Sequence, residues 1–395
     1  MKKTLVSLAA VAALTTGAMA ADKGIDFVTT GQAVLYYQTA ATETGDLFGK
    51  QHAGANFAVQ LNNDADLGNG FALGTQLSYL GTAGLTTSSV IATQQANSST
   101  DEVMLTKVNV AKKVGNTTVK IGRQELPKSL SPLAYSEGWN VLKNTFDAVL
   151  VVNSDIPGVT LVGAIVGTSN DSTDLGSWDK LETSVTATNA DGAYMITAQT
   201  AAIPLTTLTA SYYVLGDLDA TPNEGATALW VDAKVAGKSL PLGIKVGLQG
   251  GSITPEADLD ATTAMGVKVG LAPMDALNLC FAYTTVNDGA VGVTNTGTGV
   301  KTPLFTQLIG NQNHIRHDND TMMIQGAYKL SAGTIIARVA MTTDNANDNS
   351  DFRDAELIYK TNVGGVNILA AYLNLDDEAA ADPVHVIRLV GRYAF

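Results

Sequence analysis

The feature that most constrains this chain is a two-residue alternation that recurs along nearly its whole length. Phe71, Leu73, Leu77 and Tyr79 alternate with Ala72, Gly74, Gln76 and Ser78. Leu229, Val231 and Val235 alternate with Trp230, Asp232 and Lys234, and Ile244, Val246 and Leu248 with Lys245, Gly247 and Gln249. Met265, Val267, Val269 and Leu271 do the same against Ala264, Gly266, Lys268 and Gly270. Successive strand side chains point to opposite faces, so each segment is a strand with one apolar face and one polar or small face. The segments fall at 27–39, 52–62, 70–80, 102–114, 116–124, 145–153, 157–168, 192–202, 205–216, 226–236, 242–251, 261–272, 276–287, 321–330, 332–343, 351–361, 365–375 and 383–395. That is about eighteen strands of roughly ten residues, the length a tilted strand needs to cross a bilayer. Sixteen is the nearest competing count.

The connections alternate too. Short ones include Gly115-Asn116, Ile156-Pro157-Gly158, Ile203-Pro204, Ala272-Pro273-Met274-Asp275, Ser331-Ala332-Gly333 and Gly364-Gly365. Long ones include 81–101, 125–144, 169–191 and 288–320. Tight turns on one rim and long loops on the other mark an up-and-down outer-membrane barrel. Proline cannot donate to a strand ladder, and all ten prolines are placed in turns, in loops or at a strand start. The expected fold is therefore all-β: a transmembrane antiparallel β-barrel forming one domain over 21–395.

Composition argues against a soluble sandwich. A packed core needs bulky inward residues, and aromatics are only 6% of the chain. The less apolar faces are rich in Gly, Ala, Ser, Thr, Asn, Gln and Lys, which suit a water-filled lumen. Tyr79, Tyr283, Tyr328, Tyr359, Tyr372 and Tyr393 share the apolar face, mostly near strand ends, as interfacial girdles do. In hydrocarbon every backbone polar group must be paired, so such strands need a closed sheet. No fixed repeat period supports a solenoid. A net charge of −13 makes a nucleic-acid partner unexpected, and one cysteine excludes a disulfide scaffold.

Residues 1–20 are expected to be a cleaved signal peptide. Lys2 and Lys3 form its basic start, Leu5 to Leu14 its apolar stretch, and Ala18-Met19-Ala20 its cleavage site. Losing the two lysines takes the net charge from −13 to −15. The last strand alternates His385, Ile387, Leu389, Gly391, Tyr393 and Phe395 against Arg388 and Arg392. An amphipathic strand ending in an aromatic resembles the recognition signal of outer-membrane barrels, which implies delivery to the barrel-assembly machinery.

Gly122-Arg123-Gln124-Glu125-Leu126, Ser131-Pro132-Leu133-Ala134-Tyr135 and Gly138-Trp139-Asn140 lead into Asn144-Thr145-Phe146-Asp147-Ala148-Val149. Asn153-Ser154-Asp155-Ile156-Pro157-Gly158 follows. This stretch resembles the third loop and flanking strands of the major outer-membrane porins of Campylobacter and its relatives, akin to OprD-type porins. The resemblance covers about fifty residues. It implies an eighteen-stranded barrel in the bacterial outer membrane, a homotrimer, and a third loop folded inward to narrow the pore. Independently, a loop as long as 124–145 is expected to be functional or disordered, and Leu133, Tyr135 and Trp139 equip it to pack against a wall, with an ordinary exposed outer loop as the alternative.

Pore chemistry is expected from face parity. Lys107, Lys120, Lys234, Lys245, Lys268, Lys329, Arg338, Arg388 and Arg392 fall on the polar face, as do Asp147, Asp232, Asp354 and Glu356. Glu125 and Glu137 come from the loop, and Arg123 lies near the top of its strand, off the inward parity. The candidate constriction is thus Lys107, Lys120, Arg123, Glu125, Glu137, Asp147, Arg338 and Arg388. A basic wall opposite acidic loop residues would set a transverse field that sorts solutes by charge.

Other constellations are weaker. His314-x-x-His317 reads as a coincidental pair, Asn62-x-Asp64-x-Asp66-x-Gly68 as turn chemistry, and Asp344 to Asp348 as a hydrated acidic loop. No nucleophile elbow is present. No enzyme activity, cofactor or metal is expected. The reading is a passive diffusion porin for ions and small hydrophilic solutes. A substrate-selective channel and a non-channel surface barrel are the alternatives. Ion preference stays open: the whole chain favours cations, the inward face anions.

Overall fold

The computed structural model describes residues 25–42, 45–90, 102–138, 140–170, 178–180, 192–216, 225–237, 239–256, 258–346 and 350–395. The proposed signal peptide and Trp139 lie outside them, as do Asn347 and Asp348. Eighteen strands form one closed sheet. They are β1 Phe27–Thr42, β2 Ala53–Gly68, β3 Phe71–Gly81, β4 Glu102–Val114, β5 Thr117–Gln124, β6 Phe146–Asn153, β7 Val159–Asn170, β8 Ala193–Thr200 and β9 Thr206–Leu215. The second half is β10 Ala226–Ala236, β11 Lys245–Pro255, β12 Thr262–Met274, β13 Leu277–Val286, β14 Asn319–Leu330, β15 Gly333–Asp344, β16 Phe352–Val363, β17 Val366–Asp377 and β18 Val384–Ala394. Each strand pairs antiparallel with the next, and the count settles on eighteen rather than sixteen. A further three-residue strand, Trp178–Lys180, extends the long-loop end of β7.

β1 closes the circle against β18, with Ala33 opposite Tyr393 and Tyr37 opposite Leu389. At the seam, Gly31 N–H donates to Phe395 C=O at 2.7 Å, and Phe395 N–H to Gly31 C=O at 3.0 Å. A Cβ on Gly31 would stand 2.5 Å from the Phe395 ring, so glycine is the residue that seats this aromatic. Closure pairs each of the eighteen strands on both sides, which is the condition for strands in lipid.

Alternation sorts the faces as expected. Outward positions such as Ile196 and Met265 are 68% and 67% exposed. Tyr194, Tyr212, Tyr283 and Tyr372 lie outward toward the long-loop rim; Phe71, Tyr328, Tyr359 and Tyr393 lie outward toward the short-turn rim. Gln60, Gln76, Thr197, Ser211, Gln249 and Thr284 point inward.

Three local details differ from expectation. β2 continues through the Asn62–Gly68 segment and ends in a turn in which Gly68, Asn69 and Gly70 all have positive φ. Pro273 lies inside β12 rather than in a turn, at a register shift between Leu271 and Met274 that spares it a ladder donor. Another shift between Gln76 and Leu77 of β3 leaves Thr106 bulged on β4, so Thr106 and Lys107 both face the lumen.

Candidate functional site

Two loops fill the middle of the barrel. The first, 125–145 between β5 and β6, folds inward as expected. Leu126, Leu133 and Ala134 pack on Phe146, Val162, Val166, Tyr213, Trp230 and Ile253 along one wall. Val141 and Leu142 pack on Val34, Tyr36, Leu80 and Val390 along the opposite wall. Arg392 on β18 ties that end down, donating to Asn140 C=O at 2.6 Å and Val141 C=O at 2.9 Å. The Tyr213 hydroxyl accepts the Leu133 N–H at 3.2 Å. Packing on two walls turns an irregular segment into a fixed crossbar.

The second loop, 287–318 between β13 and β14, is one of the long connections that alternation assigns to the outer rim. It too folds into the lumen. Its Leu304 and Ile315 are buried with the crossbar's cluster, and Leu308 packs on Ala282, Met323 and Ala340. The signal that could have revealed it is apolar content: Val291, Val293, Leu304, Phe305, Leu308, Ile309 and Ile315 are too many for a loop facing only water.

The loops are joined by a buried polar seam. Glu137, 3% exposed, accepts from Asn295 Nδ2 at 2.8 Å, Thr298 Oγ1 at 2.5 Å and Lys301 N–H at 3.1 Å. Tyr135 N–H donates to Asn295 Oδ1 at 2.9 Å, and Thr296 N–H to Leu133 C=O at 2.8 Å. Glu137 was expected to line the pore. Instead it cements the two loops, because a carboxylate buried this far needs several donors around it.

The other candidate residues divide. Lys107 and Lys143 both ion-pair with Glu125 at the root of the crossbar, the latter at 2.8 Å, and Lys120 lies on the same lumen face. Arg338 is inward and ion-paired with Glu356. Arg388 is inward, with Nε donating to Gln38 Oε1 at 2.7 Å and its guanidinium 5.5 Å from the Tyr36 ring. Arg123 and Asp147 do not line the lumen. Arg123 pairs in register with outward Val108 and with Asp147, and the two side chains form a fork at 3.0 and 3.1 Å. Thr168 Oγ1 donates to Asp147 at 3.0 Å, and Arg123 also donates to Leu105 C=O at 3.1 Å. The inward face of β6 is apolar instead, Phe146, Ala148, Leu150 and Val152, because the crossbar lies on it.

Beside the loops lies a cavity of about 780 Å³, lined by Lys128, Lys234, Lys245 and Lys268 with Asp232 as its acid. Pro132, Leu304 and Phe305 form its loop side, and Lys268 Nζ sits 5.8 Å from the Phe305 ring. Lys128 Nζ donates to Thr302 C=O at 3.1 Å and lies 4.9 Å from the Tyr135 ring. Burial pushes Lys128 down to about 8; Asp232 and Glu137 oppose that shift, and Lys234 and Lys268 add to it. Among the described residues, no group of three or more His, Cys, Asp or Glu could hold a metal ion.

No protein-family model matches the chain, and no curated protein sequence matches it. Solved structures do match. OccK8 (OprE) of Pseudomonas aeruginosa superposes with a TM-score of 0.76 at 12% identity, over 94% of this chain and 99% of that one. OccAB3 of Acinetobacter baumannii gives 0.75 at 11% identity, over 94% and 99%. OccK9 (OpdG) of Pseudomonas aeruginosa gives 0.73 at 15% identity, over 94% and 98%. The chain therefore shares its closed eighteen-strand barrel fold with these Occ structures.

Proposed function

We propose that this chain is an outer-membrane channel through which ions and small hydrophilic solutes diffuse. The observation that carries the reading is the combination of an apolar outer belt with a polar interior crossed by two packed loops. A barrel built to fill itself would have no use for a lysine-lined cavity. The loops 125–145 and 287–318 are the constriction in this reading. Export through residues 1–20, assembly through the strand ending in Phe395, and a homotrimer belong to the same proposal; the last rests on resemblance to the Campylobacter porins.

The lining favours anions. Glu125 and Glu356 are ion-paired and Asp354 is buried under loop 287–318, while Lys120 and the four cavity lysines outnumber the acids near them, Asp64 and Asp232. The −13 of the whole chain acts from farther away, and salt screens charge beyond about 8 Å. The same cavity favours a second reading, a substrate-selective channel, because fixed charge beside apolar walls gives a solute somewhere to dwell.

Purified protein in planar bilayers should give discrete open steps, and their absence would sink the channel reading. A reversal potential on the cation side would reject the anion preference. Saturable block of the current by one small anion and not by others of equal charge would select the second reading over general diffusion.

A further inference from the structure

Lysine and glycine form a checkerboard on the lumen face of three neighbouring strands. In register across β10, β11 and β12 run Lys234, Gly247 and Lys268. One pleat nearer the short turns run Ala236, Lys245 and Gly270. Each of the three lysines thus has a glycine beside it and open space to move into. Lys234 and Lys268 stand two strands apart, about 10 Å, and Lys245 lies about 8 Å from each. Flexible four-carbon stems let three ammonium groups converge over such spans. Among the described residues, none of the three makes a hydrogen bond or an ion pair, although Lys268 lies 5.8 Å from the Phe305 ring. The loops close the other side. The Phe305 ring lies over Gly247, 3.0 Å from where a Cβ would be, and so fills the gap between Lys234 and Lys268. Lys128 brings a fourth ammonium group, anchored on Thr302 C=O at 3.1 Å. Burial lowers it to about 8, so it is mostly charged at pH 7.

We propose that this cavity is a binding site for a phosphoryl group, either free phosphate or a phosphate monoester. The proposal deepens the reading of the chain as a channel and rests on it. Four ammonium groups face one carboxylate, Asp232, which leaves an excess of three positive charges. A ligand that neutralises them carries more than one negative charge. A phosphate monoester carries about −1.5 to −2 at pH 7, on three acceptor oxygens. Those oxygens point in three directions, so separate point charges on three strands suit them. A planar carboxylate carries a single charge and is matched best by the paired N–H groups of arginine. Among the described residues, no arginine lines the cavity. Its volume of about 780 Å³ leaves room beyond the phosphoryl group, and Phe305, Leu304 and Pro132 offer the organic part of an ester an apolar surface.

The test is block of single-channel current at pH 7 by phenyl phosphate, inorganic phosphate, benzoate and phthalate. Phenyl phosphate should block saturably at about tenfold lower concentration than benzoate, which has the same ring, or phthalate, a dicarboxylate of equal charge. K234Q and K268Q should each weaken that block about tenfold, the low end for a hydrogen bond to a charged group. The two sources separate on F305A. Weaker block by phenyl phosphate but not by inorganic phosphate marks an ester site, and no effect on either marks a site for the free ion. Block by phthalate as strong as by phenyl phosphate, or block unchanged in the lysine variants that fold, would overturn the proposal and leave the channel standing. Should wild type give no open steps, the channel reading fails. Calorimetric titration of folded wild type and K268Q with phenyl phosphate then decides the site by itself, and equal affinity in the two would overturn it.

Discussion

Removing the Glu137 carboxylate should loosen the joint between the two lumen loops without dismantling the barrel. One oxygen, Glu137 Oε1, accepts from Asn295, Thr298 and the Lys301 backbone. A hydrogen bond to a charged group contributes about 1.5–3 kcal/mol net. Three on one oxygen do not add fully, and Asn295 Nδ2 also donates to Tyr135 C=O at 2.9 Å, so its loss is partial. About 3 kcal/mol is the reasonable total for Glu137→Ala, which makes separation of the loops roughly 150-fold more frequent. Other ties remain: Thr296 to Leu133, Tyr135 to Asn295, and Tyr135 and Lys128 to Thr302. The loops should therefore stay docked most of the time. Glu137→Gln keeps shape and an acceptor but loses the charge, for about 1 kcal/mol, or roughly fivefold. The assay is single-channel recording at pH 7, scored as open-channel noise and the rate of brief transitions. The expected order is wild type, then Gln, then Ala. An Ala variant as quiet as wild type would refute the claim that this carboxylate joins the loops.

Other expectations concern the wall and the cavity. Lys120→Glu should move the reversal potential in a salt gradient toward cations, whereas Asp147→Asn should leave it unchanged, because Asp147 pairs with Arg123 on the outward face; its effect should appear in thermal unfolding instead. Lys128, held at about 8 by burial, is charged below that pH and neutral above it. Anion preference should therefore fall between pH 7 and pH 9, and Lys128→Met should remove that step from the reversal-potential profile. Gly31→Val puts a side chain where the Phe395 ring and the Gln60 carbonyl, 2.5 and 2.6 Å from a Cβ, leave no room. It should open the β1–β18 seam, read as loss of the fast-migrating folded form on unheated denaturing gels.

The barrel was legible because its physics is local and periodic. All eighteen strands lie where alternation and short turns place them, apart from the extended ends of β2 and β12, down to outward Tyr79, Tyr283 and Tyr372. Parity also brings Lys107, Lys120, Arg338 and Arg388 to the lumen, since lipid on one side and water on the other sort residues by polarity. The rule fails where the lumen holds protein rather than water. On β6 the crossbar covers the inner face, so Phe146, Ala148, Leu150 and Val152 are apolar inward. Polarity then no longer distinguishes the faces, and Asp147, the conspicuous charge, is outward. Bulges compound the error: the register shift between Asp147 and Ala148 resets the count along β7, as the one at Thr106 does along β4.

Glu137 illustrates a deeper obstacle. Its charge is plain in the sequence, but its partner Asn295 lies 158 positions away in a loop with no regular structure. Strand pairing propagates from neighbour to neighbour, so register follows once the turns are known. Loop-to-loop contact inside a barrel has no such chain of inference, and composition is its sole local trace. A segment that carries Leu304, Phe305, Leu308 and Ile309 beside few charges cannot remain wholly in water without cost. The apolar content of a long loop is thus evidence of what it packs against, even where the partner cannot be read. By that criterion 287–318 belonged in the lumen for the same reason that Leu133 and Tyr135 place 125–145 there.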